Sequence, residues 1–278
     1  MLVTRSLTSE LGKEVVLEFL TRDDVRLAYQ EQGTGNPPMV FVHGWCCDHT
    51  YFAPQFEHFK AQHRVVSVDL RGHGESDKPD QEYTMAGFAD DLAWLCEQLE
   101  IERPVVVGHS MGGVIAFEMA ARHPERVGAV VAVDAPVVPT QALRDQSVGL
   151  IEGLKSPAYQ EVARGFVSAG LFRPTDDAER RAQVIDHMAG APQHVMASAM
   201  ECIFDCDVVA SIANCKAPAL LINSTDVRPV DLGQVRELCP HVEIGQTVGS
   251  GHFNQLEVPD QVNAMIERFM QVSLVVAQ

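Results

Sequence analysis

Eight short runs of mostly apolar residues recur along the chain, and most of the segments between them have helical periodicity. Val15–Phe19 and Arg26–Gln30 flank Arg22-Asp23-Asp24, the pattern of two strands joined by a hairpin turn. Met39–Val42, Val65–Val68, Val105–Val107 and Ala129–Val133 are nearly continuous in apolar character, and Ala219–Ile222 and Val242–Gln246 follow later. Runs without polar alternation suit strands covered on both faces of a mostly parallel sheet.

Between them, Met85–Leu99 sets Phe88, Leu92, Leu95 and Leu99 on one stripe, with Thr84 ahead of it as a cap. Met111–Arg122 is small and apolar nearly all round, as a helix lying on a sheet should be. It stops before His123-Pro124, because the residue ahead of a proline avoids helical geometry. Pro259–Val272 is a final amphipathic helix with proline in its first turn. Strand and helix in alternation predict an α/β fold with a mostly parallel, eight-stranded sheet.

One stretch breaks the alternation. Residues 137–211 contain four helical patterns, Leu143–Leu154, Tyr159–Ala169, Ala178–Met188 and Val195–Ile203, punctuated by prolines 136, 139, 157, 174 and 192. The expected organisation is a core of residues 1–136 and 212–278 with a helical cap, 137–211, inserted after the sixth of the eight strands. The cap reads as a lid over a site, or else as a helical subdomain with no gating role.

Composition narrows the function. A net charge of −17 over 278 residues argues against nucleic acid and anionic membrane as partners, since both need clustered cations. No segment is apolar for the ~20 residues a membrane span requires, and the first residues lack the apolar stretch of a secretory signal. The seven cysteines (46, 47, 96, 202, 206, 215 and 239) are odd in number and scattered, which predicts reduced thiols, no zinc site and a cytoplasmic setting.

The chemistry concentrates in two short motifs. Gly108-His109-Ser110-Met111-Gly112 follows one apolar run and opens the small-residue helix, which is G-x-S-x-G in the strand–turn–helix context that motif requires. Such a turn projects Ser110 above the sheet edge, and the helix start points amide hydrogens at it. Near the other end, Gly249-Ser250-Gly251-His252-Phe253 follows the last strand pattern, so His252 is the candidate base. An acid must orient His252. Asp226, after Leu220-Leu221-Ile222-Asn223-Ser224-Thr225, is favoured; Asp134, after Val131-Ala132-Val133, is the alternative, and Asp231 is third. A second oxyanion donor, besides the Met111 amide, is expected from Trp45 in Val42-His43-Gly44-Trp45, with His43 bracing that loop. Trp45, His109 and Phe253 adjoin these groups and are pocket candidates. Phe166, Phe172, Met188, Met196, Met200 and Phe204 of the insertion could join them.

These motifs, together with Asp69-Leu70-Arg71-Gly72-His73-Gly74-Glu75-Ser76, make the chain resemble the α/β-hydrolase fold superfamily from about Val15 to Met270. The resemblance implies a serine nucleophile at Ser110, an oxyanion amide at Trp45 and a structural role for the stretch 69–76. It implies no metal or cofactor. The family's acid follows its seventh strand in a G-x-x-D pattern, with Asn223 standing here for the glycine, and some members place it after the sixth strand, where Asp134 lies. A serine at 110 disfavours the aspartate-nucleophile relatives. The expected activity is hydrolysis of a carboxylic ester, thioester or lactone of an apolar or acyl-rich small molecule. The alternatives are a cofactor-free dioxygenase acting on a hydroxyquinolone-like ring and a ligand-binding or signalling protein on a hydrolase scaffold. Met111 stands where the dioxygenase motif has a second histidine.

Overall fold

The computed structural model describes residues 3–8, 14–226 and 230–274. The sheet begins with three antiparallel strands, β1 (Val3–Thr8), β2 (Glu14–Arg22) and β3 (Val25–Gln32). Asp23 and Asp24 both hold positive φ (50° and 62°), the two-residue turn whose twist matches a hairpin. Six parallel strands follow: β4 (Met39–Val42), β5 (Val65–Val68), β6 (Val105–His109), β7 (Ala129–Val133), β8 (Ala219–Asn223) and β9 (Val242–Gln246). The spatial order is β1-β2-β3-β5-β4-β6-β7-β8-β9. All eight expected strands are present, and β1 adds a ninth at the outer edge. Its pattern, VTRSLT, is too polar to read as a core strand, and it pairs with β2 alone.

Both faces of β4–β8 are buried, which is why their sequences do not alternate, whereas the edge strand β9 is only partly covered. Val40, Val42, Val106, Val130 and Ala132 face one apolar cluster, whereas Met39, Phe41, Val105, Val107, Val131 and Val133 face another. The helices covering the sheet are α1 (Ala53–Phe59), α2 (Met85–Gln98) and α3 (Met111–Arg122) in the first half of the chain. The Thr84 hydroxyl accepts from the Gly87 N–H at 3.0 Å, as an N-cap should. α1 and the 3₁₀ turn before it (His49–Phe52) lack a clear apolar stripe and escape a periodicity search.

Residues after β7 form α4 (Gln141–Lys155), α5 (Tyr159–Gly170), α6 (Ala178–Ala189) and α7 (Gln193–Asp205), matching the four expected patterns to within a few residues at each end. α8 (Val208–Asn214) packs on α3, so the expected division at residue 211 falls inside a helix that joins the sheet layer. α9 (Leu232–Leu238), α10 (Asn254–Glu257) and α11 (Pro259–Ser273) complete the chain. Among the described residues no helix is long and apolar enough to cross a membrane.

The chain leaves β4 for β5 on one side, then crosses back to β6 on the other. The loops after β4 and β6 therefore diverge, and open α/β sheets form their crevices at this reversal. Ser110 and Gly44-Trp45 stand on those two loops.

Candidate active site

Ser110 sits between β6 and α3 with φ 53° and ψ −118°, a conformation that L-residues avoid. The surroundings impose it. The Ser110 N–H donates to Val133 O (2.9 Å), continuing the ladder with β7, and the Gly113 N–H already donates back to Ser110 O (3.0 Å) to start the helix. The flanking glycines are steric requirements. A Cβ at Gly108 would lie 2.0 Å from Gly112 O, and one at Gly112 would lie 2.1 Å from Val42 O. Such close approach brings the start of α3 against the end of β4.

His43 braces the loop after β4, as expected. Leu70 N–H can only donate, so His43 Nε2 accepts from it (3.0 Å) and Nδ1–H donates to Gly44 O (2.8 Å). Burial, and next the neighbouring His73, hold its pKa down to about 3, so the ring stays neutral and the tautomer fixed. The 69–76 stretch is structural. Asp69 accepts from the His49 N–H (2.7 Å), the His49 ring (2.9 Å) and the Glu75 N–H (2.8 Å). The Trp45 indole donates to Met196 O in α7 (2.9 Å), tying this loop to the inserted helices.

The carboxylate on His252 belongs to Asp134, not to the favoured Asp226. His252 Nδ1–H donates to Asp134 Oδ2 at 2.6 Å, and the Ser224 N–H donates to Asp134 Oδ1 at 2.7 Å. Asp134 is 2% exposed and its own N–H donates to Ile222 O (2.7 Å), so it continues the β7–β8 ladder one residue past the strand. Asp226 lies three residues beyond β8, and its side chain is 70% exposed and ion-paired with Arg173 at 2.9 Å. The physical reason is loop length: by residue 226 the chain has left the sheet edge for solvent. Asp231 caps α9, accepting from the Gln234 N–H (2.9 Å). With Nδ1 committed to Asp134, Nε2 is the basic nitrogen of His252.

Ser110 and His252 face a cavity of about 380 Å³. Its walls are mostly apolar: Trp45, Leu150, Phe166, Met188, Met200, Ile203, Phe204 and Phe253, with Gln146 and Ser147 of α4 as polar points. Trp45, His109 and Phe253 line it, and so do four of the six candidates from the insertion. Phe172 and Met196 do not: Phe172 packs on Phe253 (ring centroids 5.1 Å apart), and Met196 is buried behind Trp45. His109 donates from Nε2 to His252 O (2.9 Å), so it also braces the His252 backbone. Cys47 reaches the wall, but burial pushes its thiol well above the usual range and leaves it protonated. Among the described residues no group of His, Cys, Asp and Glu could hold a metal ion.

The α4 contributions had no sequence signal beyond amphipathicity. Asp176 had none at all: it lies in a polar loop of the insertion that no motif marks.

Residues 37–259 match the model of a family described as alpha/beta hydrolase fold. The chain belongs to that family of hydrolases. A haloalkane dehalogenase of Sphingobium indicum is 29% identical over 282 residues, which span 88% of this chain and 92% of the relative. The fold is also that of an enol-lactonase from Burkholderia xenovorans LB400 (TM-score 0.80, 23% identity, 91% of this chain and 99% of that one). It is equally that of a thermophilic esterase from Thermogutta terrifontis (TM-score 0.79, 24% identity, 98% of each chain). At these two identities the likeness carries the fold alone.

Proposed function

We propose that the protein is a serine hydrolase that cleaves a carboxylic ester, thioester or lactone through an acyl-serine intermediate, with Ser110, His252 and Asp134 as its triad. The observation that carries this reading is the 2.6 Å bond from His252 Nδ1–H to buried Asp134, with Ser110 on the wall of the same apolar cavity. The Ser110 Oγ attacks the carbonyl carbon while His252 Nε2 takes its proton. Asp134 holds the ring and stabilises the imidazolium. The oxyanion is received by the amides of Trp45 and Met111, where one donor is typically worth about 10²–10³ in rate. Collapse expels the leaving oxygen or sulfur, protonated by His252. Water, deprotonated by the same nitrogen, then frees the acid and restores Ser110.

The mostly apolar walls favour a neutral acyl chain, and α4–α7 act as a cap that supplies more than half of those walls. The dehalogenase among the relatives is not followed to its chemistry, because displacement of halide in that fold needs a carboxylate nucleophile and residue 110 is serine. The test is intact-protein mass after exposure to a fluorophosphonate. One adduct on the wild type and none on Ser110→Ala is the expected result. An unlabelled wild type would overturn the reading and return attention to oxygen consumption or ligand binding.

A further inference from the structure

The loop that carries His252 is fastened to the insertion, and the fastening is specific. The His252 N–H donates to Leu171 O at 3.0 Å. One residue earlier, the Gly251 N–H donates to Asp176 Oδ1 at 3.2 Å, while Asp176 Oδ2 accepts from the Arg173 N–H at 2.7 Å. Asp176 is 8% exposed, and among the described residues no cation pairs with it. Its two oxygens are spent on two backbone amides, one in the turn between α5 and α6 and one beside the candidate base. Gly251 is shaped to this contact: a Cβ there would lie 2.5 Å from Asp176 Oδ2 and 3.0 Å from Leu171 O. A second tether lies just beyond, where the Asp177 N–H donates to Glu257 Oε2 at 3.2 Å.

We infer that Asp176 is a positioning residue for His252: its carboxylate clamps the Gly251-His252 backbone to the α5–α6 turn and thereby sets where Nε2 stands relative to Ser110. The inference rests on the serine-hydrolase reading above. A buried carboxylate is costly unless hydrogen-bonded, and charged acceptors make the stronger bonds to amides. Both conditions select an aspartate over an alanine or a leucine at a site that packing alone would fill. Asp134 fixes the ring from Nδ1, His109 holds the His252 carbonyl, and Leu171 O and Asp176 hold consecutive amides. The His252 segment is thus restrained from the sheet and from the cap together. Gly170 and Leu171 also line the cavity, so an acyl group pressing on this turn bears on the base.

The experiment compares wild type, Asp176→Asn and Asp176→Ala, each measured for fluorophosphonate labelling rate, for kcat and KM on an activated ester, and for Tm. Asp176→Ala should lose about 10–100-fold in kcat and in labelling rate with KM within about twofold, the scale expected of an ångström-sized misplacement. Asp176→Asn keeps one acceptor oxygen and should recover part of that loss. Gly251→Ala, which strikes the same contact from the other side, should lower kcat likewise and be less than additive with Asp176→Ala. Labelling of Asp176→Ala at the wild-type rate would overturn the inference, as would a loss of kcat no larger than the loss of folded protein, or a rise confined to KM. A wild type that does not label would instead overturn the hydrolase reading itself, so the two failures are distinguishable.

Discussion

Asp134 and Asp226 follow neighbouring parallel strands and have similar apolar runs ahead of them, yet one is 2% exposed beneath His252 and the other is 70% exposed beside Arg173. The difference is distance from the ladder. Asp134 is the first residue past β7, and Asp226 is the third past β8. The same rule runs along the whole sheet edge. His43, Asp69, Ser110, Asp134, Ser224 and Thr247 are each the first residue after a parallel strand. Each is polar, and all but half-buried Ser110 are fully buried. Their backbones are still held by the neighbouring strand, as the bonds from the amides of Ser110, Asp134 and Thr247 to Val133, Ile222 and Asn223 show. The sheet thus fixes one polar side chain per strand at its rim, and chemistry assembles from that row.

The contrast has force only if His252 acts on Ser110. Ser110→Ala and His252→Ala should each cost about 10⁶-fold in kcat on an activated ester while leaving the circular dichroism spectrum unchanged. Retained turnover in either variant would remove the framework. Next in size, Asp134→Asn should lower kcat about 10⁴-fold, because the ring loses its tautomer and its counter-charge. Kinetics of Asp134→Asn beside Asp226→Asn put the two loops in direct competition, and a larger loss at 226 would reverse the assignment.

A smaller effect tests whether the rim is rigidly buried. Burial, helped at His43 by the neighbouring His73 ring, holds the His43 pKa down to about 3, and burial is the main cause that holds His73 down to about 4, against the ordinary 6.5. The unfolded chain takes up these protons below 6.5 and the folded chain refuses them, so stability should fall as pH drops from 6.5 toward 4. His49 opposes this: burial lowers its pKa, but Asp69 outweighs burial and raises it, so its contribution is present in acid and lost as pH rises. With two rings against one, Tm should decline by several degrees between pH 7 and pH 5. A flat Tm across that range would mean that His43 and His73 protonate in place. Smallest of all, Asp226→Asn should cost no more than about 1 kcal/mol of stability, since its pair with Arg173 is solvated. It should also leave kcat within about twofold.

Much of this is legible in the sequence. Strands β4–β8 follow from apolar runs that both cores bury, and Ser110 follows from glycines whose replacement would collide with backbone. His252 is legible because glycine and a preceding strand mark it. The carboxylate beside His252 is not legible, because both aspartates satisfy chain order and strand context, and only the position relative to the ladder separates them. Asn223 in place of the family's glycine was the available warning. The α4 wall and Asp176 were unreadable for a different reason. Their roles depend on how the insertion sits on the sheet, and nothing in local periodicity encodes that placement.

The indole of Trp45 has a consequence outside catalysis. The chain holds two tryptophans, Trp45 and Trp94. Trp94 is half-buried on α2, whereas Trp45 donates to the Met196 carbonyl of α7 and meets the Phe166 ring of α5 edge-on at 6.0 Å. Movement of the insertion would break that bond and admit water to the ring. In a Trp94→Phe background the emission wavelength of this protein is therefore an intrinsic optical gauge of where α5 and α7 sit relative to the loop after β4, readable without label or substrate.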